Sequence, residues 1–333
     1  MKKFINDPKD FVNEMIEGIL LAHPDKLKSV NNDVRCLVRA DKIRDGKVGI
    51  MTGGGSGHLP LFLGYIGQGL IDGAAVGGVF QSPSAQQMYE VTKTIDQGKG
   101  VLYLFGNYSG DIINFDMAAE IADMDGIKTT TVLGNDDASS SVKGEEHKRR
   151  GVAGLVFAFK TAGAAAEKGF SLEEVTRIAQ KTVDNTRTMG VAMSPCIIPE
   201  VGYPSFNLGE DEMEIGMGIH GEPGINRGKI MTADETVSTM LEYIFNDFEY
   251  KASDEAAVII NGLGATPLEE LYIAFRKCSM VLKEKGVKIH KSYIGEFATS
   301  MEMTGFSVSL LKLDDELKEL LDISCNSPFF KQI

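Results

Sequence analysis

Hydrophobic positions follow two alternating patterns along the chain. Short apolar runs bounded by glycine are typical of buried strands, and apolar residues spaced three and four apart are typical of amphipathic helices. The strand-like runs include "KVGIM" (47–51), "GVLYLFG" (100–106) and "IKTTTVLG" (127–134). Because strand and helix patterns alternate through most of the sequence, we predict an α/β fold with a largely parallel sheet covered by helices.

Capping residues predict where two of the helices begin. In the first, Asp7 is the expected N-cap and Pro8 the first helical residue. The apolar face of this helix is then formed by Phe11, Met15, Ile16, Ile19 and Leu20. A later helix opens with a capping box from Ser171 to Glu174, and we expect it to end at Gly190.

A loop-rich stretch divides the predicted elements into two sets. Residues 191–228 hold four of the ten prolines and seven glycines. We therefore predict an N-terminal α/β domain over 1–186, with a larger three-layer and largely parallel sheet, and a smaller C-terminal α/β domain over 187–333. The most polar stretch, 136–150, is predicted to be a surface loop.

Composition and charge narrow the function classes. The chain has 333 residues, 43% of them apolar, and a net charge of -13. With its acidic residues scattered, the sequence offers no basic face for nucleic acid and no polybasic membrane patch. It contains no signal peptide and no apolar stretch of about 20 residues, so we expect a cytoplasmic protein without a membrane span. The four cysteines are far apart and form no CxxC, which favours reduced structural thiols.

A glycine cluster, "TGGGSGHLP" (52–60), follows the first strand-like run. It is neither a P-loop nor a dinucleotide fingerprint, because His58 stands where each motif needs another residue. What it can form is a turn of exposed backbone N–H groups that would bind an anion or the oxygens of a small polar ligand. The alternative is a tight turn required only for packing.

Two further polar side chains, Asp111 and His220, are candidates for chemistry. Asp111 follows the strand "VLYLF" at what should be the same sheet edge as His58, where it could act as a general base or accept hydrogen bonds from hydroxyls. The alternative for Asp111 is an Asx turn or a helix N-cap. His220 lies in the glycine-rich segment "GMGIHGEPG" (216–224), where a structural role is the alternative. No pair among these residues has the spacing of a metal motif, so we predict no metal.

Several segments, taken in order, carry a resemblance to a known family. They are "GGGSGH", "GYIGQG", "NYSGDIINF", "EMEIGMGIHGEPG", "LGATPLEELY" and "MTGFSVSLLKLDDEL". Over essentially its whole length the sequence resembles the substrate-binding K subunit of dihydroxyacetone kinases.

The resemblance implies that dihydroxyacetone is held covalently, as a hemiaminal between its carbonyl carbon and a ring nitrogen of His220. A polyol such as glycerol has no carbonyl to trap. The resemblance also implies that Gly55, Ser56, Gly57 and His58 line the ligand and that Asp111 holds or activates its hydroxyl. It further implies a homodimer, and no nucleotide site on this chain. ATP or a tightly held ADP would be carried by a separate L subunit, and in bacterial systems the phosphoryl group would come from the phosphoenolpyruvate phosphotransferase chain.

Three positions depart from the kinase pattern. Leu59 stands in place of glutamate in "GHEP", Gly106 in place of lysine in "KNYTGD", and residues 322–324 read "DIS" instead of "DAP". Loss of a lysine should impair phosphoryl transfer more than binding. This pattern favours a non-catalytic sensor, a co-activator that captures the ketose and docks on the transcription factor controlling the kinase operon. The alternative is the substrate-binding subunit of a kinase for dihydroxyacetone or another short ketose.

Overall fold

The computed structural model describes residues 2–333, which form two compact units. The first unit contains the residues through Leu133 together with Val156–Thr182 and Glu319–Ile333. The second contains Gly134–Leu155 and Val183–Lys318. The passage from the first unit to the second at residue 183 lies close to the boundary expected at 187. Neither unit is one continuous segment of the chain. Residues 134–155 belong to the second unit, and residues 319–333 belong to the first.

The first unit is built on a six-stranded mixed sheet. Its elements through residue 134 are α1 (Phe11–Ala22), β1 (Leu27–Val30), β2 (Asp33–Arg39), β3 (Gly49–Ser56), β4 (Gly73–Val79), α2 (Ala85–Ile95), β5 (Val101–Gly106), α3 (Ser109–Met124) and β6 (Thr129–Gly134). The strand order is β1-β2-β4-β3-β5-β6, with β3 parallel to both β4 and β5. The pairs β1–β2 and β2–β4 are antiparallel.

The core of the first unit is formed where α2 and α3 pack on this sheet. Met88 and Val91 of α2 and Phe115 and Ala118 of α3 are fully or almost fully buried there against strand residues such as Tyr103. Apolar residues at helical spacing meet a sheet whose strands are apolar on both faces, which is the arrangement expected of parallel strands. The ring of Phe105 stacks on that of Phe115, with centroids 4.0 Å apart.

Helix α1 begins later than the sequence predicts. Its N-cap is Asp10, whereas Asp7 accepts a hydrogen bond from the Lys9 N–H to its side chain and one from Asp10 to its carbonyl. Residues 8–10 thus form a separate turn in front of the helix. The predicted apolar face is partly correct, since Ile16 and Ile19 are buried.

The next helices are α4 (Leu155–Lys168) and α5 (Leu172–Asp184). The Glu174 N–H donates to Ser171 Oγ, as expected for the start of α5. The prediction that this helix runs to Gly190 was wrong, because residues from Thr186 onward form a central strand of the second sheet. The apolar run that continues the helix pattern, around Met189 and Val191, is buried in that sheet instead.

The second unit has its own six-stranded sheet, which is mostly antiparallel. Its elements are β7 (Thr186–Ser194), β8 (Glu212–Ile215), β9 (Asn226–Lys229), α6 (Ala233–Asp247), β10 (Glu255–Gly262), α7 (Leu268–Glu284), β11 (Lys288–Gly295) and β12 (Thr304–Leu313). The order is β11-β10-β12-β7-β8-β9, and β10–β11 is its parallel pair. Helices α6 and α7 cover the sheet through buried residues such as Met240, Leu241 and Leu271.

The chain ends with α8 (Asp315–Asp322), β13 (Cys325–Asn326) and β14 (Lys331–Gln332), the last two forming a small antiparallel sheet. The buried Lys160 of α4 donates to the carbonyls of Leu320 and Ile323 at the end of α8. Within the first unit this fixes residues 319–333 to α4. The prediction of an α/β fold is confirmed, with the qualification that the second sheet is mainly antiparallel.

Candidate functional site

Three loops of the first unit emerge at one edge of its sheet. Strands β4 and β5 both pair parallel with β3, so the carboxyl ends of all three lie side by side. His58 follows β3, Phe80 follows β4, and Asp111 lies in the first turn of α3 after β5. The sheet therefore brings His58 and Asp111 to the same edge, where ligands bind in open α/β folds.

Glycines let these loops approach each other more closely than side chains allow. A Cβ on Gly55 would lie 2.7 Å from the Gln81 nitrogen and 2.8 Å from the Phe80 Cα, both backbone atoms of the loop after β4. A Cβ on Gly54 would lie 2.4 Å from the ring of Phe62. The glycine cluster is thus required for packing between loops as well as for exposing backbone.

His58 is held rigidly by aromatic contacts. Its side chain is buried, stacks on Phe80 with ring centroids 4.8 Å apart and meets Phe62 edge-on at 6.4 Å. The Ser56 hydroxyl donates to the Gly77 carbonyl at 2.8 Å, and the Phe80 N–H donates to the Ser56 carbonyl at 3.0 Å. These bonds tie the end of β3 to β4 and to the loop that carries Phe80, which stacks on the imidazole.

Asp111 is a buried carboxylate at the amino end of a helix. It is the third residue of α3, whose N-cap is Tyr108, so Asp111 is not itself the N-cap. The partial positive charge of the helix amino terminus stabilises a carboxylate at this position. The adjacent turn is joined to the loop after β4, because the Asn114 amide donates to Ser82 Oγ at 3.2 Å.

His220 belongs to the second unit, where Glu222 holds its ring. The His220 Nδ1 lies 3.0 Å from Glu222 Oε1, and the His220 backbone N–H donates to Glu222 Oε2 at 2.9 Å. The loop is tight because Gly218 has no Cβ, which would otherwise lie 2.1 Å from Glu222 Oε2. Gly221 adopts a φ of +80°, a conformation that favours glycine.

The Glu222 carboxylate fixes the tautomer of His220. Burial alone would raise the pKa of Glu222, but the hydrogen bond from His220 and the positive charges of His220 and Arg150 outweigh it and lower that pKa to about 2. An ionised carboxylate can only accept a hydrogen bond, so His220 Nδ1 is the donor. In the neutral ring the lone pair is then on Nε2, which is the nitrogen able to act as a nucleophile.

Glu222 is a functional residue that the sequence reasoning missed. Its signal is the spacing "HGE", which places a carboxylate two residues after a histidine across a glycine. A turn at Gly221 is enough to fold the acid back onto the ring. Spacing of this kind is not specific, since in an extended strand the same two side chains would lie on one face but about 7 Å apart, too far for a hydrogen bond.

The polar segment 136–150 was predicted to be a surface loop, and this was wrong at both of its ends. Asp136, Asp137 and Arg149 are almost fully buried. Asp136 accepts hydrogen bonds from the N–H groups of Val152 and Gly154 at 2.9 and 2.8 Å. Burial raises the pKa of the Asp136 carboxyl, and these hydrogen bonds oppose the increase. Polar side chains of the segment accept hydrogen bonds from buried backbone N–H groups and form ion pairs with other charged groups of the second unit.

The three departures from the kinase pattern have defined positions. Gly106 is the buried last residue of β5, directly before the turn that leads to Asp111. Leu59 is half-buried and follows His58. Residues 322–324 span the end of α8 and the start of the segment leading to β13.

Metal-ligating side chains, apolar helices and cysteines complete the description of residues 2–333. No three His, Cys, Asp or Glu side chains in this range come together as a metal site. None of the helices formed by these residues is long and apolar enough to cross a bilayer. All four cysteines are buried and none forms a disulfide; burial raises the pKa of the Cys278 thiol to about 12.

Known proteins of one family are similar to this chain over nearly its whole length. Residues 17–329 match the family model of the Dak1 domain. The chain is 46% identical over 331 residues, 99% of each chain, to the dihydroxyacetone-binding subunit DhaK of PTS-dependent dihydroxyacetone kinase 2 from Listeria innocua. It is 41% identical to an L-erythrulose kinase from Pectobacterium atrosepticum, covering all of this chain and 56% of that protein. A solved structure of the dihydroxyacetone kinase operon co-activator Dha-DhaQ superposes with a TM-score of 0.89 at 29% identity, covering 96% of this chain and 98% of that one.

Proposed function

The chain belongs to the Dak1 domain family, and from this membership we propose that it binds dihydroxyacetone covalently on His220 as the substrate-binding subunit of a ketose kinase. The observation that carries the proposal is the pairing of His220 Nδ1 with the Glu222 carboxylate, which directs the ring lone pair to Nε2.

The bond-forming step balances without a cofactor. The Nε2 lone pair forms a bond to the carbonyl carbon while the carbon–oxygen π bond breaks. The resulting alkoxide takes up a proton, and the Nδ1 proton is released through Glu222 to solvent, which leaves a neutral hemiaminal. Positive charge develops on the imidazole during the attack, and the adjacent Glu222 carboxylate stabilises it.

This chemistry selects for a carbonyl group. Glycerol presents similar hydroxyls but no electrophilic carbon, so it can make hydrogen bonds only. Under the same proposal the backbone of Gly55 and Gly57 and the side chains of Ser56, His58 and Asp111 bind the hydroxyl groups of the ketose. Asp111, a carboxylate at a helix amino terminus, is suited to accept a hydroxyl proton.

The kinase role rests on the relatives. The Listeria kinase subunit is 46% identical over nearly the whole chain, and this identity supports the kinase role. Under this proposal a separate L subunit carries ATP or a tightly held ADP, and in bacterial systems the phosphoryl group comes from the phosphoenolpyruvate phosphotransferase chain. The present chain acts as a homodimer. Similarity to an L-erythrulose kinase adds four-carbon ketoses to the substrates that should be compared with dihydroxyacetone.

A second candidate function is supported by Gly106. A lysine at the end of β5 would place a positive charge directly before the turn bearing Asp111, and glycine does not. Without that charge the chain would keep ketose capture and lose transfer. It would then act as a sensor that reports the ketose to a transcriptional regulator.

The covalent step is tested by NMR with dihydroxyacetone labelled with ¹³C at its carbonyl carbon. Binding should move the carbon signal from the carbonyl region to the region of saturated carbons bearing oxygen and nitrogen, and native mass spectrometry should report one ligand per chain. His220→Ala should abolish both signals. His290→Ala, an exposed histidine on β11 of the same unit, is the matched control and should leave both unchanged. Unaltered ligand signals in His220→Ala would refute the hemiaminal.

The two roles are separated by turnover. The protein is mixed with an ADP-loaded L subunit and its phosphoenolpyruvate-dependent donor proteins, and the phosphorylated ketose is quantified for dihydroxyacetone and erythrulose. Turnover supports the kinase subunit. An adduct with no turnover supports the sensor, and the binding partner would then be sought among transcriptional regulators.

A further inference from the structure

We infer that Arg150 is a positioning residue for His220, acting through Glu222 from the end of the segment 136–150. This inference rests on the proposed function, because it concerns how the reactive histidine is kept in its productive orientation. The inference gives a role to the segment 136–150, which was predicted to be a surface loop and takes no direct part in the ketose chemistry.

The guanidinium of Arg150 is anchored on the side away from residues 216–224, which carry His220 and are called the histidine loop below. Its Nε donates to Asp137 Oδ2 at 2.9 Å, and Asp137 is itself almost fully buried. The other oxygen of Asp137 accepts hydrogen bonds from the N–H and the hydroxyl of Ser139, at 3.1 and 2.6 Å. A buried carboxylate satisfied on both oxygens is a rigid support, because moving it would leave its charge unpaired.

From this support Arg150 reaches two points of the histidine loop. Its Nη2 donates to the Gly216 carbonyl at 3.2 Å, at the residue where the loop leaves β8. Its Nη1 lies 3.7 Å from Glu222 Oε2, the oxygen that also accepts the His220 backbone N–H. The order of contacts is therefore Asp137, Arg150, Glu222 and His220, and each pair involves complementary charge or a hydrogen bond.

These contacts have two consequences for His220. The hydrogen bond from Arg150 to the Gly216 carbonyl fixes the start of the histidine loop, which limits movement of the His220 ring. The positive charge beside Glu222 favours the ionised carboxylate, which must be present to accept the Nδ1 proton. Asp136 and Asp137 in the segment, and Glu214 on β8, whose carboxylate accepts the Gly224 N–H at 2.6 Å, add negative charge near this cluster. Arg150 offsets part of that charge at Glu222.

The first test follows the Glu222 carboxyl itself and needs no ligand. The full-length protein is labelled with ¹³C-glutamate, and the Glu222 signal is assigned with Glu222→Gln. In Arg150→Gln its titration should move upward by about one to three pH units relative to wild type. Arg150→Lys, which keeps the charge and loses the fork, should restore at least half of that shift. Arg227→Gln removes an arginine of the same unit that pairs with Glu212 instead, and should titrate like wild type.

The second test measures the adduct by the carbonyl-¹³C signal. Arg150→Gln should weaken ketose binding about 10- to 100-fold, the range seen when a partner that orients a functional histidine is removed. Arg150→Lys should lie between it and wild type, and Arg227→Gln should equal wild type. Identical Glu222 titration in Arg150→Gln and Arg227→Gln would overturn the inference. Absence of an adduct in wild type would instead refute the proposed function, and the carboxyl titration would still decide the role of Arg150.

Discussion

Replacing Glu222 by glutamine should destabilise the second unit and impair capture of the ketose together. The two carboxylate oxygens accept from the His220 N–H and from its Nδ1–H. An amide of the same shape offers one oxygen and one NH₂ group, so when the oxygen accepts the backbone N–H the NH₂ group faces the ring. The ring must then either lose its hydrogen bond or take the other tautomer, in which Nδ1 accepts and Nε2 no longer carries the lone pair needed for attack. The shape of the side chain is kept while its charge is lost.

The magnitude follows from the pKa of Glu222, which is lowered from 4.5 to about 2. At 1.36 kcal/mol per unit this corresponds to about 3 kcal/mol of stabilisation at pH 7. The side chain is 30% exposed, so screening by solvent makes this an upper value. Because the folded pKa is depressed, the stabilisation is present above pH 4.5 and is lost as the pH falls toward 2. At pH 3.5 about 2 kcal/mol should remain.

The assay is urea unfolding of wild type and Glu222→Gln at pH 7, 5 and 3.5. The difference in the free energy of unfolding should shrink by about 1 kcal/mol between the first and last pH values. Glu242→Gln, an exposed residue of α6, makes the same charge change and should stay within about 0.5 kcal/mol of wild type. A difference for Glu222→Gln that does not change with pH would show that its cost is steric and that the charge reasoning is wrong.

Three more predictions concern the first unit. Gly55→Ala forces a Cβ against the backbone of the loop after β4 and should lower the free energy of unfolding by about 1–3 kcal/mol. Gly18→Ala, on the open face of α1, should instead raise it by up to about 1 kcal/mol. Gly106→Lys should raise phosphoryl transfer with a cognate L subunit while leaving the ketose adduct intact; unchanged transfer would remove the argument from charge. Lys160→Met leaves two carbonyls at the end of α8 without their lysine donor and should lower the free energy of unfolding by about 1–3 kcal/mol. Lys168→Met breaks an exposed ion pair and should lower it by less than about 1 kcal/mol. Urea unfolding measures both.

The sequence predicted the features that depend on local chemistry. Glycine at 54 and 55 indicated a close backbone approach, and the structure identifies the partners as the Phe62 ring and the loop after β4. Alternating strands and helices indicated the α/β fold, and parallel pairing of β3 with β4 and β5 then fixes the shared edge of His58 and Asp111.

What the sequence did not predict depends on contacts between distant segments. The residues after Asp184 continue a helical pattern, but pairing with β8 and β12 makes them a strand, because tertiary contacts override local propensity. Asp137 looks solvent-exposed as a member of a polar run, yet Arg150 supplies the counter-charge that lets it be buried. Glu222 becomes a partner of His220 only after the turn at Gly221 is formed.

The division of the chain into units has a consequence for the order of folding during synthesis. Residues 319–333 belong to the first unit, where the Asn326 N–H donates to the Gln68 carbonyl and the Ser327 hydroxyl donates to the Gly64 carbonyl. Domains generally fold as units as they leave the ribosome. The first unit, although it begins the chain, must therefore wait for the last residues to be made, and the second unit has its complete sequence earlier. A chain truncated after residue 318 should keep a protease-resistant second unit, whereas its first unit should be open to cleavage.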